Sequence, residues 1–356
     1  MRCPTLAELP PPPPGKAGWP WTEETPQLPE TMPDPSIALR ASGSPWPRIS
    51  IVTPSYNQSA FIEETIRAVL LQGYPNLEYI ISEDCSTDDS MAVIRKYEQW
   101  VKVIVGDRNR GMSYAINKGY EICTGDIITW IATDDVYLPG AFAVVTSHWP
   151  SIQDSGAVVG SFHFMDANSV ISSVINLPHL PYPGPIDLTL TTRNWRLHQV
   201  STFYLRDALD NVGRYVREDL RHNMDRELIY RIAMKYKIFL IDEALAAFRI
   251  HGHSKSWSYA NMISMAREYA SIQYMFLSGD PQEDAIRKQI ARQRIAKGYV
   301  KYAKYNPHLF ASIGALFQAV YYWPGIGFSK GYIRGWLEAL RILPMLRKLR
   351  KTTYHP

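Results

Sequence analysis

Cysteine is scarce in this chain. Cys3, Cys85 and Cys123 are the three among 356 residues, far apart and odd in number. No C-x-x-C pair exists, so neither a disulfide framework nor a zinc knuckle is indicated, and a reducing compartment is the simplest reading. A strong charge of one sign is also lacking. A net charge of +4 and a pI near 8.8 are too mild to argue for nucleic acid as a partner. The absence of G-x-x-x-x-G-K-[ST] and of G-x-G-x-x-G removes the P-loop and the dinucleotide fingerprint. PPPPPGK at 10–16 stands where a signal peptide would carry its apolar stretch, so no secretory leader is expected. No internal repeat is found.

What is present is ample core material: 46% of residues are hydrophobic and 12% aromatic. The length suits one large catalytic domain with extensions, or two domains. Residues 1–47 carry proline runs and scattered tryptophans and read as an extended or disordered arm, either packed against the body through Trp19, Trp21 and Trp46 or left as an inert tail. The texture changes at Arg48. ISIVTPSYN (49–57), LEYIISED (77–84), VKVIVGD (101–107) and GDIITWIATDD (125–135) read as strands. FIEETIRAVLLQ (61–72), DDSMAVIRKYEQW (88–100) and MSYAINKGYEIC (112–123) read as the helices between them. This alternation predicts an α/β fold with a mostly parallel central sheet flanked by helices. Ligands of such sheets bind outside the carboxyl ends of the strands, which is where Tyr56, Asp84, Asp107, Asp134 and Asp135 fall.

ITWIATDDVYLPG (128–140) is the most pointed of these stretches. Ile127, Ile128, Trp130 and Ile131 read as a buried strand, and Pro139-Gly140 closes the following turn. Adjacent aspartates ordinarily cap a turn or sit in water. At the mouth of a buried strand they make a hard-oxygen site for Mn²⁺ or Mg²⁺, and Mg²⁺ takes one or two carboxylates plus substrate phosphates.

After Phe142 the pattern loosens. A strand is expected at 157–166, a loop at 178–187 and a strand followed by a helix at 201–213. An amphipathic helix follows at 223–236, then strand, turn and strand over 237–256, with helices from about 261 to the end.

ISIVTPSYNQSAFIEETIRAVLLQGYPNLEYIISEDCSTDDS, followed by DRNRGMSYAINKGYEICTGDIITWIATDDVYLPGAF, closely resembles the family 2 glycosyltransferases with the GT-A fold. The resemblance runs from about Arg48 to Ser256, roughly 60% of the chain. It implies a GT-A domain over 48–260, with a nucleotide-binding half at 48–142 and an acceptor half at 143–260. Residues 1–47 then form the proline-rich arm and 261–356 a helical C-terminal region.

The resemblance also implies site residues. Pro54, Tyr56 and Asn57 of PSYN would meet the nucleotide, with Tyr56 stacked on its base, a contact worth about 1–3 kcal/mol. Asp84 would accept from the base ring N–H, a preference suited to uracil or guanine. Arg110, Gly111 and Asn117 would lie near the ribose and diphosphate. Asp134 would bind ribose or metal, and Asp135 would be the principal metal ligand. In HNMDREL (222–228) Asp225 would be the general base of an inverting transfer and Glu227 a weaker candidate. His198 and Gln199 would touch donor sugar or acceptor. In FRIHGHS (248–254) His251 would reach the metal or diphosphate, with His253 a second choice.

Plain structural parts stay open for several of these residues. Tyr56 suits a packed surface, Asp84 a turn cap, Asn117 a loop pin, Asp225 a helix-dipole partner and His251 a surface position. Two departures from the family pattern bear on the diphosphate side: Glu83-Asp84-Cys85 precedes the Ser-Thr-Asp turn, and Tyr114 stands where many relatives have Asp.

The implied activity is metal-dependent, inverting transfer of a sugar from a UDP- or GDP-type donor to a glycan or lipid-linked acceptor, in surface polysaccharide synthesis. A non-catalytic nucleotide-sugar-binding or scaffold protein of the same fold is the alternative. A sugar-phosphate nucleotidyltransferase is disfavoured, because the first strand leads into TPSYN and not into a glycine-rich, basic phosphate loop. Beyond the resemblance, Leu309–Ser329 is an uncharged run of about 20 residues, just long enough to span a bilayer core. Tyr321, Tyr322 and Trp323, with Pro324, Gly325 and Gly327 after them, argue for lying in the interface instead. The basic segment that follows favours anionic lipid, with a cytoplasmic protein peripheral to the inner face of the cytoplasmic membrane as the expected location. A helical hairpin packed on the catalytic domain is the alternative.

Overall fold

The computed structural model describes residues 1–33, 41–175, 184–186, 197–252, 261–306 and 308–339. Two compact units emerge: Met1–Asp219 with Met224–Ile250, and Leu220–Asn223 with the described residues from His251 on.

In the first unit the strands are β1 (Thr31–Pro33), β2 (Ala41–Pro45), β3 (Ile49–Ser55), β4 (Leu77–Glu83), β5 (Lys102–Val105) and β6 (Ile127–Trp130), then β7 (Val136–Tyr137), β8 (Ala157–Met165), β9 (Ile171–Ile175), β10 (Gly184–Ile186), β11 (Thr202–Leu205) and β12 (Ile238–Arg249). The helices are α1 (Ile62–Leu70), α2 (Ser90–Arg95), α3 (Met112–Ile122), α4 (Ala141–Ser147), α5 (Trp149–Ile152), α6 (Arg206–Asn211) and α7 (Met224–Ala233). The main sheet runs β10-β12-β8-β11-β6-β3-β4-β5, with β7 paired to β12 and β9 to β8. β6, β3, β4 and β5 are parallel, while β11 is antiparallel to both β6 and β8.

Residue type explains the central strands. Every residue of β3 and β4 is buried, which fits β-branched and apolar runs covered on both faces. Pro54 has no N–H to give a ladder, and it sits where β3 has already lost one neighbour. Pairing with β6 ends at Val52↔Trp130, while pairing with β4 continues to Ser55↔Glu83. The core holds Ile51, Ile66, Val69, Leu77 and Ile127, continued by Tyr74, Tyr137, Phe142 and Phe203 in edge-on or tilted ring contacts. α3 lies tight on β3: a Cβ added at Gly119 would run into the Val52 side chain.

The N-terminal segment packs into this unit. Trp21 and Trp46 are buried, and Trp19 Nε1 donates to Tyr137 O at 2.9 Å. Buried Arg67 of α1 donates to the carbonyls of Pro10, Pro20 and Trp21 at 2.8–3.0 Å and stands over the Trp21 ring.

Two local expectations change. The strand, turn and strand expected over 237–256 is one strand, β12, with two register shifts against β8 between Leu240 and Ala246. There Asp242 and Glu243 face water, and the irregularity turns them outward without ending the strand. The regular helix expected over 88–100 closes at Arg95 and continues as turns. Apart from β10, the loop expected at 178–187 lies outside the described residues, as do His253 and residues 340–356.

The second unit is helical: α8 (Met262–Met275), α9 (Pro281–Tyr305), α10 (Leu309–Tyr322) and α11 (Lys330–Ala339), with a 3₁₀ turn at Pro324–Phe328. The Asp280 carboxylate caps α9 by accepting from Gln282 N and Glu283 N. Ala296, Tyr299, Val300 and Ala303 of α9 pack with Ala315, Leu316 and Ala319 of α10. The Glu268 carboxylate accepts from the N–H groups of Arg221, His222 and Asn223 and holds that short segment to α8. Among the described residues no helix is long and apolar enough to cross a membrane.

Candidate active site

The chain enters the sheet at β3, moves outward through β4 and β5, and returns on the other side of β3 at β6. The strand order therefore reverses between β3 and β6. A crevice opens at the carboxyl ends of strands at such a point. Tyr56, Asp84, Asp134 and Asp135 stand on the loops that leave β3, β4 and β6.

The turn after β6 is held from two sides. Ile131 N donates to Val52 O at 2.9 Å, and the Thr65 hydroxyl of α1 reaches the carbonyls of Thr133 and Asp135 at 2.9 and 2.7 Å. From β12, Arg249 donates its backbone N–H to Asp135 Oδ1 at 2.9 Å and its Nε–H to Asp134 O at 2.7 Å. The Arg249 guanidinium is 1% exposed. It pairs with Glu64 of α1 at 3.0 Å, donates to Ser169 Oγ at 2.8 Å and stands over the Phe61 ring. Asp134 is half-buried, whereas Asp135 is 3% exposed. Burial first, and then the neighbouring Asp134 charge, push the Asp135 carboxyl well above its ordinary value, against the lowering pull of the Arg249 N–H.

That electrostatic cost is what a divalent cation relieves. Among the described residues no three His, Cys, Asp or Glu side chains gather into an all-protein cage. The residues fit the other mode, in which one or two carboxylates hold a hard cation and substrate oxygens supply further ligands. Asp135, with Asp134 beside it, would supply those carboxylates.

On the β4 side, Asp84 is buried and accepts from the N–H groups of Arg110 and Gly111 at 2.9 and 2.7 Å. It thereby fixes the loop between β5 and α3. Gly111 has φ +96°, a conformation that suits glycine there. The Arg110 guanidinium pairs with exposed Asp107 at 3.1 Å and stands over the Tyr114 ring. Asn57 joins the loops after β3 and β4: its N–H donates to Ser86 Oγ, and its Oδ1 accepts from Thr87 N at 2.8 Å. Glu83 accepts from Cys85 N and Ser86 N and so closes the turn of its own segment. Tyr56 is 40% exposed, which leaves ring surface for a planar ligand.

A small pocket lies on the other half of the sheet. Leu197, Gln199, Thr202, Tyr204, Asp225, Arg226 and Ile229 line it. Asp225 sits in the first turn of α7, and burial pushes its carboxyl above the ordinary value against the Arg226 charge. The Gln199 amide, another wall of the pocket, donates to Trp130 O. Trp130 is the last residue of β6, so the pocket wall is tied to the strand whose turn carries Asp134 and Asp135.

Other residues singled out by sequence have different neighbours. The Asn117 amide is engaged with Val216 N, Val216 O and Glu218, at 2.8–3.0 Å, and pins that loop. Glu227 is directed into an ion pair with Arg231 at 2.8 Å, and Arg231 in turn donates to the carbonyls of Val212 and Tyr215. His198 is outside the pocket lining, packed between Phe162 and Phe248, and burial lowers its imidazole to about 4, so it is neutral near pH 7. Pro54 is inside β3, and His251 belongs to the second unit. No motif in the sequence marks Arg249 or Glu64 as part of this site. The available signal was a lone arginine in the apolar run LAAFRI, where a buried charge must find a partner.

The family model described as Glycosyl transferase family 2 matches residues 50–213. A glycosyltransferase of Nostoc sp. is 27% identical over 227 residues, covering 61% of this chain and 69% of its own length. Among solved structures, S. aureus TarS in complex with UDP-GlcNAc is similar with a TM-score of 0.54 at 17% identity, covering 77% of this chain and 81% of that one. The mannosyltransferase PcManGT from Pyrobaculum calidifontis, in complex with GDP-Man and Mn²⁺, is similar with a TM-score of 0.54 at 17% identity, over 88% of each chain. At these identities the likeness establishes the fold.

Proposed function

Because this chain belongs to glycosyltransferase family 2 and carries its GT-A fold, we propose that it moves one sugar, with inversion, from a UDP- or GDP-type donor to a hydroxyl of a glycan or lipid-linked acceptor. The observation that carries this reading is the tie between the two carboxylate sites. Gln199 shares a pocket with Asp225 and is bonded to the last residue of β6, just ahead of Asp134 and Asp135.

In this reading the Asp225 carboxylate takes the proton of the acceptor hydroxyl. The acceptor oxygen forms the new bond to the anomeric carbon as the bond from that carbon to the diphosphate oxygen breaks, and the nucleoside diphosphate leaves with its electron pair. A single displacement of this kind inverts the anomeric centre. A raised Asp225 carboxyl suits the part, since a base works best with its pKa near the working pH. Tyr56 stacks on the base. Asp84 sets the Arg110-Gly111 loop that faces the ribose and diphosphate, and Gln199 borders the sugar. Asp135 and Asp134 would hold Mn²⁺ or Mg²⁺, and the ion would supply charge neutralisation for the diphosphate. We place the protein in surface polysaccharide synthesis, peripheral to the inner face of the cytoplasmic membrane, where lipid-linked acceptors would be met.

A thermal-shift panel of UDP- and GDP-sugars, each with and without Mn²⁺, tests the donor site. One nucleotide class should raise Tm, and Mn²⁺ should enlarge the rise. No shift and no donor hydrolysis across the panel would overturn the reading.

A further inference from the structure

α10 has two faces of different character. Ser312, Ala315, Leu316 and Ala319 are buried, and the three alanine and leucine side chains pack against α9. On the opposite face Phe310, Phe317 and Tyr321 recur at i, i+7 and i+11, a spacing that stacks them on one side of a helix. They are 88%, 64% and 78% exposed, more than any other large apolar side chain described. Phe317 meets Trp336 of α11 edge-on at 5.8 Å, and Ile333 beside it on α11 is 52% exposed. The aromatic face thus continues from α10 onto α11. Contiguous exposed apolar patches on soluble proteins mark interaction surfaces.

Charge selects the occupant. No charged residue occurs in 309–329. Residues 330–351 then hold seven lysines and arginines and one acidic residue, Glu338; Lys330 and Arg334 are exposed on α11, within one turn of Ile333 along the helix. A second copy would bring a like charge against this segment, whereas anionic headgroups complement it. The 14 residues of α10 extend about 21 Å, short of a bilayer core of about 30 Å, so the helix can lie in the interface but not cross. Aromatic side chains suit headgroup depth.

We propose that Phe310, Phe317 and Tyr321 of α10, continued by Ile333 of α11 and flanked by Lys330 and Arg334, form a surface that seats the chain on an anionic lipid bilayer. This names the lipid-facing residues of the peripheral location proposed above.

The test is sedimentation of the full chain with phosphatidylcholine vesicles, with and without phosphatidylserine, in low and high salt. The wild type should sediment with the phosphatidylserine vesicles in low salt and be released by high salt. The triple variant Phe310→Ser, Phe317→Ser, Tyr321→Ser, if its circular dichroism is unchanged, should lose binding by about 10-fold or more. The pair Lys330→Glu, Arg334→Glu should lose binding to the anionic vesicles to a similar extent. It leaves the aromatic face intact and covers the case in which the triple variant fails to fold. The proposal is overturned if the wild type stays in the supernatant, or if either folded variant binds like the wild type. It is also overturned if the wild type is a dimer without lipid and the triple variant a monomer, since a second copy then covers the face. The assay contains no nucleotide sugar, so its failure and a failure of the catalytic reading are told apart.

Discussion

Asp135 is a carboxylate that its surroundings penalise. It is buried, it has Asp134 as its neighbour, and the N–H of Arg249 offsets only part of the cost. Removing its charge therefore should not harm the fold, yet it should remove the hold on a cation. Asp135→Asn is expected to keep or slightly raise Tm, to lose the extra thermal shift that Mn²⁺ gives with donor, and to collapse turnover. A variant as active as the wild type would remove Asp135 as the metal residue. At this scale the sequence is informative where chemistry is local. Asp134 and Asp135 end an apolar run, and Asp225 opens an amphipathic helix, so both stand out from their neighbours. The ion pair of Arg249 with Glu64 joins β12 to α1 across most of the unit, and no local pattern announces it. Asn117 and Glu227 carry the right chemistry for a ligand, but the loop at 212–218 uses it, directly for Asn117 and through Arg231 for Glu227.

Elements were legible where their period is strong. β3, β4 and β6, with α1 and α3 around them, follow from β-branched runs and helical spacing. β12 was harder, since Asp242-Glu243 reads as a turn when two register shifts are out of view. Helix-to-sheet distance is a further property set at the level of elements. α3 approaches β3 so closely that Gly119 leaves no room for a methyl beside Val52. Gly119→Ala is expected to cost about 1–3 kcal/mol, the usual range for overpacking, despite the better helix propensity of alanine. Urea unfolding checks this, and an unchanged or raised midpoint would show that α3 can shift freely.

For the molecule as a whole, the sequence left two readings of the proline-rich segment, an arm laid on the body through its tryptophans or an inert tail, and Arg67 collects carbonyls of that segment into the first unit. An isolated arginine inside a helix does not reveal such long-range partners. The acid stability of this unit should follow Glu78, which is 2% exposed in β4. Burial alone would raise its carboxyl, but donors from Lys102, Ser50 and Thr124 outweigh burial and bring it from an ordinary 4.5 down to about 2. A depressed carboxylate stabilises the fold fully above its ordinary value, and that contribution fades as pH falls through the folded value. Tm should therefore drop between about pH 4.5 and 2. Glu78→Gln should lower stability near neutrality, on the order of 2–3 kcal/mol, and flatten that acid limb. An acid limb unchanged in the variant would assign it to other groups. The central claim, inverting transfer with Asp225 as base, is tested most directly by comparing Asp225→Asn with the wild type, using the donor found by thermal shift and following the product's anomeric centre by NMR. The account predicts an inverted product from the wild type, about a 10²–10⁴-fold loss of transfer in the variant, and a donor-induced thermal shift that survives. A product of retained configuration, or a variant that turns over at close to the wild-type rate, would contradict it.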